Sequence, residues 1–176
     1  MPPRLLRLVT LLALAAALLG AGCGGDDDSD SAGAEEPSDT EAEARATLED
    51  TSVKPVIDKP SGSPPRRLVK ENIVKGNGRT AKAGDRITVQ YVGVAFSTGE
   101  EFDASWNTGR PFSFRLGVGQ VIPGWDRGIV GMKVGGRRKL TIPPELAYGA
   151  EGAPPDIAPN ETLVFVVDLV KINRRS

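Results

Sequence analysis

Apolar residues recur at alternate positions in run after run of the chain's second half, and one stretch breaks that period. In "RITVQYVGVAF", Ile87, Val89 and Tyr91 share one side while Thr88 and Gln90 take the other, the pattern of a strand with one buried face and one wet face. "RPFSFRLG" repeats it with Phe112, Phe114 and Leu116, and "RRKLTIP" with Leu140 and Ile142. The last run, "TLVFVVDLVKI", is apolar on both faces apart from Asp168, as a central strand would be. The break comes in "QVIPGWDRGIVGM", where Trp125, Ile129 and Met132 stand at i, i+4 and i+7 and Pro123 is placed to open a helix. Gly128 and Gly131 each cost about 1 kcal/mol relative to alanine inside a helix, so a helix over residues 123–131 must be held by packing rather than propensity. A further helical turn is expected around "PELAYG". These patterns predict an α+β fold in which one short helix covers the apolar face of an antiparallel sheet. Tyr91, Phe102, Phe112, Phe114, Tyr148 and Phe165 lie on separate strands and loops and are candidates to converge around Trp125.

The first half of the 176-residue chain is of another kind. Residues 1–22 place Arg4 and Arg7 before "LVTLLALAAALLGAG", the layout of a secretory signal. The apolar run is short of the roughly 20 residues that a membrane span needs, although a signal anchor stays open. Cys23, the sole cysteine, ends "LLGAGC", which resembles a bacterial lipobox with Gly20 where leucine is commonest. A lipidated Cys23 would tether the protein to a membrane, since two acyl chains hold where one does not. The alternative is an ordinary secretory signal with an incidental cysteine. From residue 23 to residue 65 twelve Asp and Glu face three Lys and Arg, a net of −9, whereas residues 66–176 carry eleven against seventeen, a net of +6. The acidic segment is too poor in apolar residues to fold alone and reads as a disordered linker that holds the domain off a membrane. Within it, "ATLEDTSVK" could form a turn of helix but is expected to be linker.

The domain's inventory excludes much chemistry. There is no histidine, which removes Ser-His-Asp and Cys-His nucleophilic schemes and most zinc sites. Cys23 leaves no thiol in the domain, "GVGQVIPG" lacks the Lys-Ser/Thr of a phosphate loop, and Glu100-Glu101 sits in a turn as solvated charge. The basic "RRK" at Arg137 to Lys139 belongs to no nucleic-acid motif and reads as a solvated strand end. No metal or cofactor is expected, and no nucleic acid. What remains is an apolar, aromatic-rich site.

The segments "VKGNGRTAKAGDRITVQYVG", "EFDAS", "RPFSFRLGVGQVIPGWDRGIVGMKVGGRRKLTIPPELAYGAEG" and "PNETLVFVVDLVKI" resemble successive parts of an FKBP-type peptidyl-prolyl cis-trans isomerase domain, in family order and spacing, and cover nearly all of Arg67 to Arg174, which places that domain at residues 66–176. The resemblance implies a curved antiparallel sheet wrapped around one short helix, with Trp125 as the floor of a shallow pocket for a substrate proline. It implies catalytic roles for Asp103, Tyr148, Trp125 and Phe165, and substrate binding by Tyr91, Phe102, Phe112, Val121, Ile122 and Ile157. The Ile122 N–H and the Tyr148 hydroxyl match the family's hydrogen-bonding groups. Expected partners are proline-containing polypeptides, macrolide inhibitors and, through the anchor, a membrane; a monomer is the default. Thr108 stands where an arginine is common near Asp103, and Ala153 and Asp156 change the loop after Tyr148, so substrate preference and macrolide affinity stay open. Two readings of the domain remain: an isomerase acting on exported proteins, or a tethered binding module or chaperone with little turnover. A purely structural envelope protein would leave the ordered pocket motif unexplained.

Overall fold

Alternating sequence gives strands here, and the strands form one curved antiparallel sheet. The computed structural model describes residues 46–173. The signal-like segment 1–22, Cys23 and the acidic stretch to residue 45 lie outside the described residues. In chain order the strands are β1 (Val69–Val74), β2 (Arg86–Ala95), β3 (Glu101–Ala104), β4 (Phe112–Arg115), β5 (Arg137–Ile142) and β6 (Leu163–Asn173), with a single-turn-and-a-half helix α1 (Pro123–Gly128) between β4 and β5. The sheet order is β1-β5-β6-β2-β3, with β4 paired to β2 as well. The doubly apolar run is therefore the middle strand β6, as its composition requires.

The inner face carries the main core. Ile87 and Val89 of β2, Leu140 and Ile142 of β5, and Leu163, Phe165, Val167 and Leu169 of β6 meet Trp125, Ile129 and Met132. Each fully buried aliphatic side chain contributes about 1.5–3 kcal/mol. The helix lies tight on β5, because a Cβ on Gly128 would stand 2.8 Å from Leu140 Cδ1 and one on Gly124 would strike Ile142. It is shorter than residues 123–131. Gly131 adopts φ +86° beyond the helix, where its N–H donates to the Ala81 carbonyl at 3.0 Å. The glycine thus serves a left-handed turn that an L side chain would strain.

Two expectations about charge and burial are corrected. Arg137 and Arg138 are buried, not a solvated strand end. The Arg138 guanidinium donates to the carbonyls of Gly128 at 2.6 Å and Val130 at 3.2 Å, meeting carbonyls at and just beyond the end of α1. Arg137 pairs with Asp168 on the outer face of the sheet, at 2.5 and 2.7 Å. The outer face is not simply wet either. Val92, Val94, Ala104 and Val164 form a second buried cluster there, with Ile57, Phe96 and Trp106 packed on it.

Ile57 and the partners of Arg137 come from the segment expected to be free linker. Residues 46–49 form a helical turn, Pro55 is buried, and Lys54 makes an ion pair with Glu101 at 2.8 Å. The folded unit therefore begins upstream of the expected boundary at Pro65. Composition hides this, because the segment is held largely by its backbone carbonyls and a few side chains rather than by an apolar run.

Candidate active site

The pocket opens where β2 changes partner. The first half of β2 pairs with β4 (Arg86 to Val89) and the second with β3 (Val92 to Val94), so Gln90 and Tyr91 have no strand partner on that edge. The Tyr91 N–H donates instead to Ser105 Oγ at 2.9 Å, and that hydroxyl also bonds Gln90 Oε1. This split places Phe102 and Asp103 on one side of the Tyr91 ring and Phe112 on the other.

Below them lies Trp125, only 5% exposed. Its ring centroid is 5.0 Å from Tyr91 and 5.2 Å from Phe165, both edge-on, and 5.7 Å from Phe114. Phe102 meets Phe165 edge-on at 5.5 Å. Such arrangements are the favoured ones for aromatic quadrupoles. The Phe165 and Phe102 rings fit because residue 93 is glycine: a Cβ there would lie 2.6 Å from Phe165 Cε1 and 2.8 Å from Phe102 Cζ.

The cavity so formed holds about 230 Å³ and is lined by Tyr91, Phe102, Asp103, Phe112, Gln120, Val121, Ile122, Trp125, Tyr148 and Phe165. Nine of these ten positions were expected from the sequence; Gln120 was not. Ile157 is the expected residue that is absent from the lining. It is 5% exposed and belongs to the main core, because paired hydrogen bonds between Ala153 and Ile157 (2.9 and 3.0 Å) turn its side chain inward. A neighbouring groove, with Phe102 in common, does include it.

Polar groups at the pocket are few. The Tyr91 hydroxyl donates to Asp103 Oδ2 at 2.6 Å. Burial, then that bond and the carboxylate charge, push the Tyr91 pKa far above the ordinary tyrosine value. Thr108 gives Asp103 no charge, since its hydroxyl donates to the Ser105 carbonyl at 3.1 Å. Among the described residues no acceptor meets the Ile122 N–H, while its carbonyl takes Trp125 N–H at 2.9 Å to start α1. Tyr148 is 43% exposed at the mouth. Asp126 of α1 accepts from the N–H groups of Gly117 and Gly119, both at 2.7 Å, fixing the turn that delivers Gln120, Val121 and Ile122. No cluster of metal-ligating side chains occurs among the described residues. An apolar cavity with isolated hydrogen-bonding groups, and no nucleophile aimed into it, can bind and reshape a ligand but has no means of covalent attack.

That fold and pocket define an FKBP-like isomerase, and comparison with known proteins agrees. Residues 77–170 match the model of the FKBP-type peptidyl-prolyl cis-trans isomerase family, and the chain belongs to that family. It is 61% identical over 120 residues to the FK506-binding protein of Streptomyces anulatus, covering 68% of this chain and 97% of that one. It is also 50% identical over 105 residues to the FK506-binding protein of Neisseria meningitidis serogroup B, covering 60% of this chain and 95% of that one. The crystal structure of AtFKBP13 superposes with a TM-score of 0.57 at 41% identity, covering 60% of this chain and 93% of that one. Residues 66–176 number only 111, so the 120-residue likeness to the Streptomyces protein extends upstream of Arg66.

Proposed function

We propose that the protein accelerates X-Pro isomerisation in the folding of exported proteins, from the extracytoplasmic face of a bacterial cell membrane to which a lipid on Cys23 tethers it. The pocket carries this reading: an aromatic cavity over Trp125, rimmed by hydrogen-bonding groups. Peptide-bond rotation faces a barrier of about 18–20 kcal/mol, which leaves X-Pro bonds exchanging over roughly tens to hundreds of seconds. The planar amide is more dipolar than the twisted one. Transfer into an apolar pocket therefore removes more solvent stabilisation from the ground state than from the transition state.

The residues divide that work. Trp125, Phe165 and Phe102 surround the proline ring. The Ile122 N–H and the Tyr148 hydroxyl donate to substrate carbonyls, orienting the chain on either side of the rotating bond. Asp103 holds the Tyr91 hydroxyl and so fixes the Tyr91 ring against Trp125. Proline-containing segments are the substrates, macrolides of the FK506 type compete for the same cavity, and the domain acts as a monomer.

Two-dimensional exchange NMR on an Xaa-Pro peptide tests the activity. Catalysed exchange that falls at least about ten-fold in a folded Phe165→Leu variant is the expected result, a loss corresponding to about 1.4 kcal/mol of transition-state stabilisation. Binding of the peptide without catalysed exchange would replace the isomerase by a proline-binding module. For the anchor, cells expressing the full chain should incorporate labelled palmitate, and Cys23→Ser should abolish it; incorporation unchanged in that variant would remove the tether.

A further inference from the structure

We propose that residues 46–59 are a strap belonging to the isomerase unit, which grips β3 and the turn after it and so positions the Asp103 rim of the pocket. The inference rests on the pocket reading above and adds to it a positioning element far from the substrate in sequence.

The strap has a built socket. Arg137 is fully buried, and its guanidinium turns one edge to Asp168 and the other outward to the strap. Nη1 donates to the carbonyls of Thr47 at 2.6 Å, Leu48 at 3.2 Å and Asp50 at 3.0 Å, and Nη2 to that of Val53 at 3.0 Å. A buried cation needs all its donors met, and arginine offers five in a fixed fork. Asp168 alone leaves the outer donors unmet. The strap's carbonyls complete the set, and its own turn is closed by Ser52 N–H donating to Asp50 Oδ1 at 2.8 Å.

From that anchor the chain runs to the pocket rim. Lys54 Nζ donates to Glu101 Oε1 at 2.9 Å and to Asn107 Oδ1 at 2.8 Å, and Asn107 Nδ2 bonds Glu101 Oε1 at 2.8 Å. Glu101 and Asn107 bracket Asp103. Ile57 packs on the outer cluster that includes Ala104 and Trp106. Further along, Lys59 lies against the Gly99 turn that precedes β3, where a Cβ would meet its Cβ at 2.8 Å. The strap thus fixes residues on both sides of Asp103 in the chain, and Asp103 in turn holds Tyr91. The likeness to a relative that runs upstream of Arg66 fits a strap that belongs to the domain rather than to a tether.

The test uses the full chain with Lys54→Met, Lys54→Arg and Ile57→Asp, measuring amide hydrogen exchange across residues 101–108 and kcat and KM on an Xaa-Pro peptide. The expected result is at least about five-fold faster exchange at residues 101–108 in Lys54→Met, with kcat/KM lower by about two- to five-fold, the range an exposed ion pair supports. Lys54→Arg should restore both readouts. Unchanged exchange and kcat/KM in Lys54→Met overturns the proposal even if Ile57→Asp fails to fold. A lower unfolding midpoint in either variant, with both rim readouts unchanged, also overturns it by making the strap a staple only. If the parent chain shows no isomerase activity, the functional reading fails, and exchange at residues 101–108 still decides whether the strap holds the rim.

Discussion

The Tyr91 hydroxyl has one job in the folded protein, donating to Asp103, and its environment keeps it protonated to do so. Tyr91→Phe removes that bond while keeping the ring against Trp125, so kcat/KM should fall by roughly five-fold with little change in unfolding midpoint, consistent with the loss of one partly exposed hydrogen bond. No change in kcat/KM would show that the pair does not shape the pocket. The titration has a definite sign. Because the folded pKa is raised, the contribution of Tyr91 to stability is complete below the unfolded value of about 10 and is lost as pH rises through the folded one. An ultraviolet titration should show a tyrosinate step above the ordinary tyrosine range that disappears in Tyr91→Phe. Persistence of that step in the variant would contradict the assignment. Trp125, Tyr91 and Phe165 are legible as a cluster because the apolar face of the short helix, the alternating strand and the doubly apolar strand must meet in one core. Arg138 is not legible, since its partners are carbonyls of Gly128 and Val130, and backbone carbonyls leave no trace in a sequence.

At the scale of elements, the pocket depends on close approaches that glycine alone permits. Gly93→Ala would drive a methyl into Phe165 and Phe102, so we expect a folded protein with kcat/KM reduced at least about ten-fold and a changed aromatic NMR signature, overpacking of this kind costing about 1–3 kcal/mol. Wild-type activity there would mean the two rings move freely without harm. Gly124→Ala would instead lift α1 from Ile142 and lower the unfolding free energy by a similar amount, read by denaturant titration. The period-two runs give β2, β4 and β5, and the doubly apolar run gives β6, because side-chain patterning along a strand is a local property. The helix end is misplaced by three residues because Gly131 serves a left-handed turn rather than the helix, and Ile157 is misplaced because a loop's inward turn depends on its Ala153 pairing.

For the molecule as a whole, the outer face of the sheet decides where the domain begins. Asp168 is 4% exposed beside a fully buried Arg137, and the strap closes over both. Arg137→Met would leave that carboxylate unpaired and release the strap, so the unfolding free energy should drop by about 3–5 kcal/mol; a change under about 1 kcal/mol would show that the pair is dispensable. Sequence composition places the boundary at residue 65 because acidic, Pro-containing stretches rarely bury enough to fold alone. The strap escapes that rule by borrowing its stability from Arg137 and from the outer cluster. Asp168 was the visible clue: a lone carboxylate in a doubly apolar central strand requires a buried cation.

The protein's function turns on whether the Trp125 pocket catalyses X-Pro rotation without covalent chemistry. The most direct test is the refolding of a protein limited by proline isomerisation, in the presence of the full chain and of a Trp125→Leu variant shown by NMR to be folded. The parent is expected to accelerate the slow phase in proportion to its concentration, and the variant to lose most of that acceleration. A folded Trp125→Leu variant that accelerates refolding as well as the parent would contradict catalysis by the pocket.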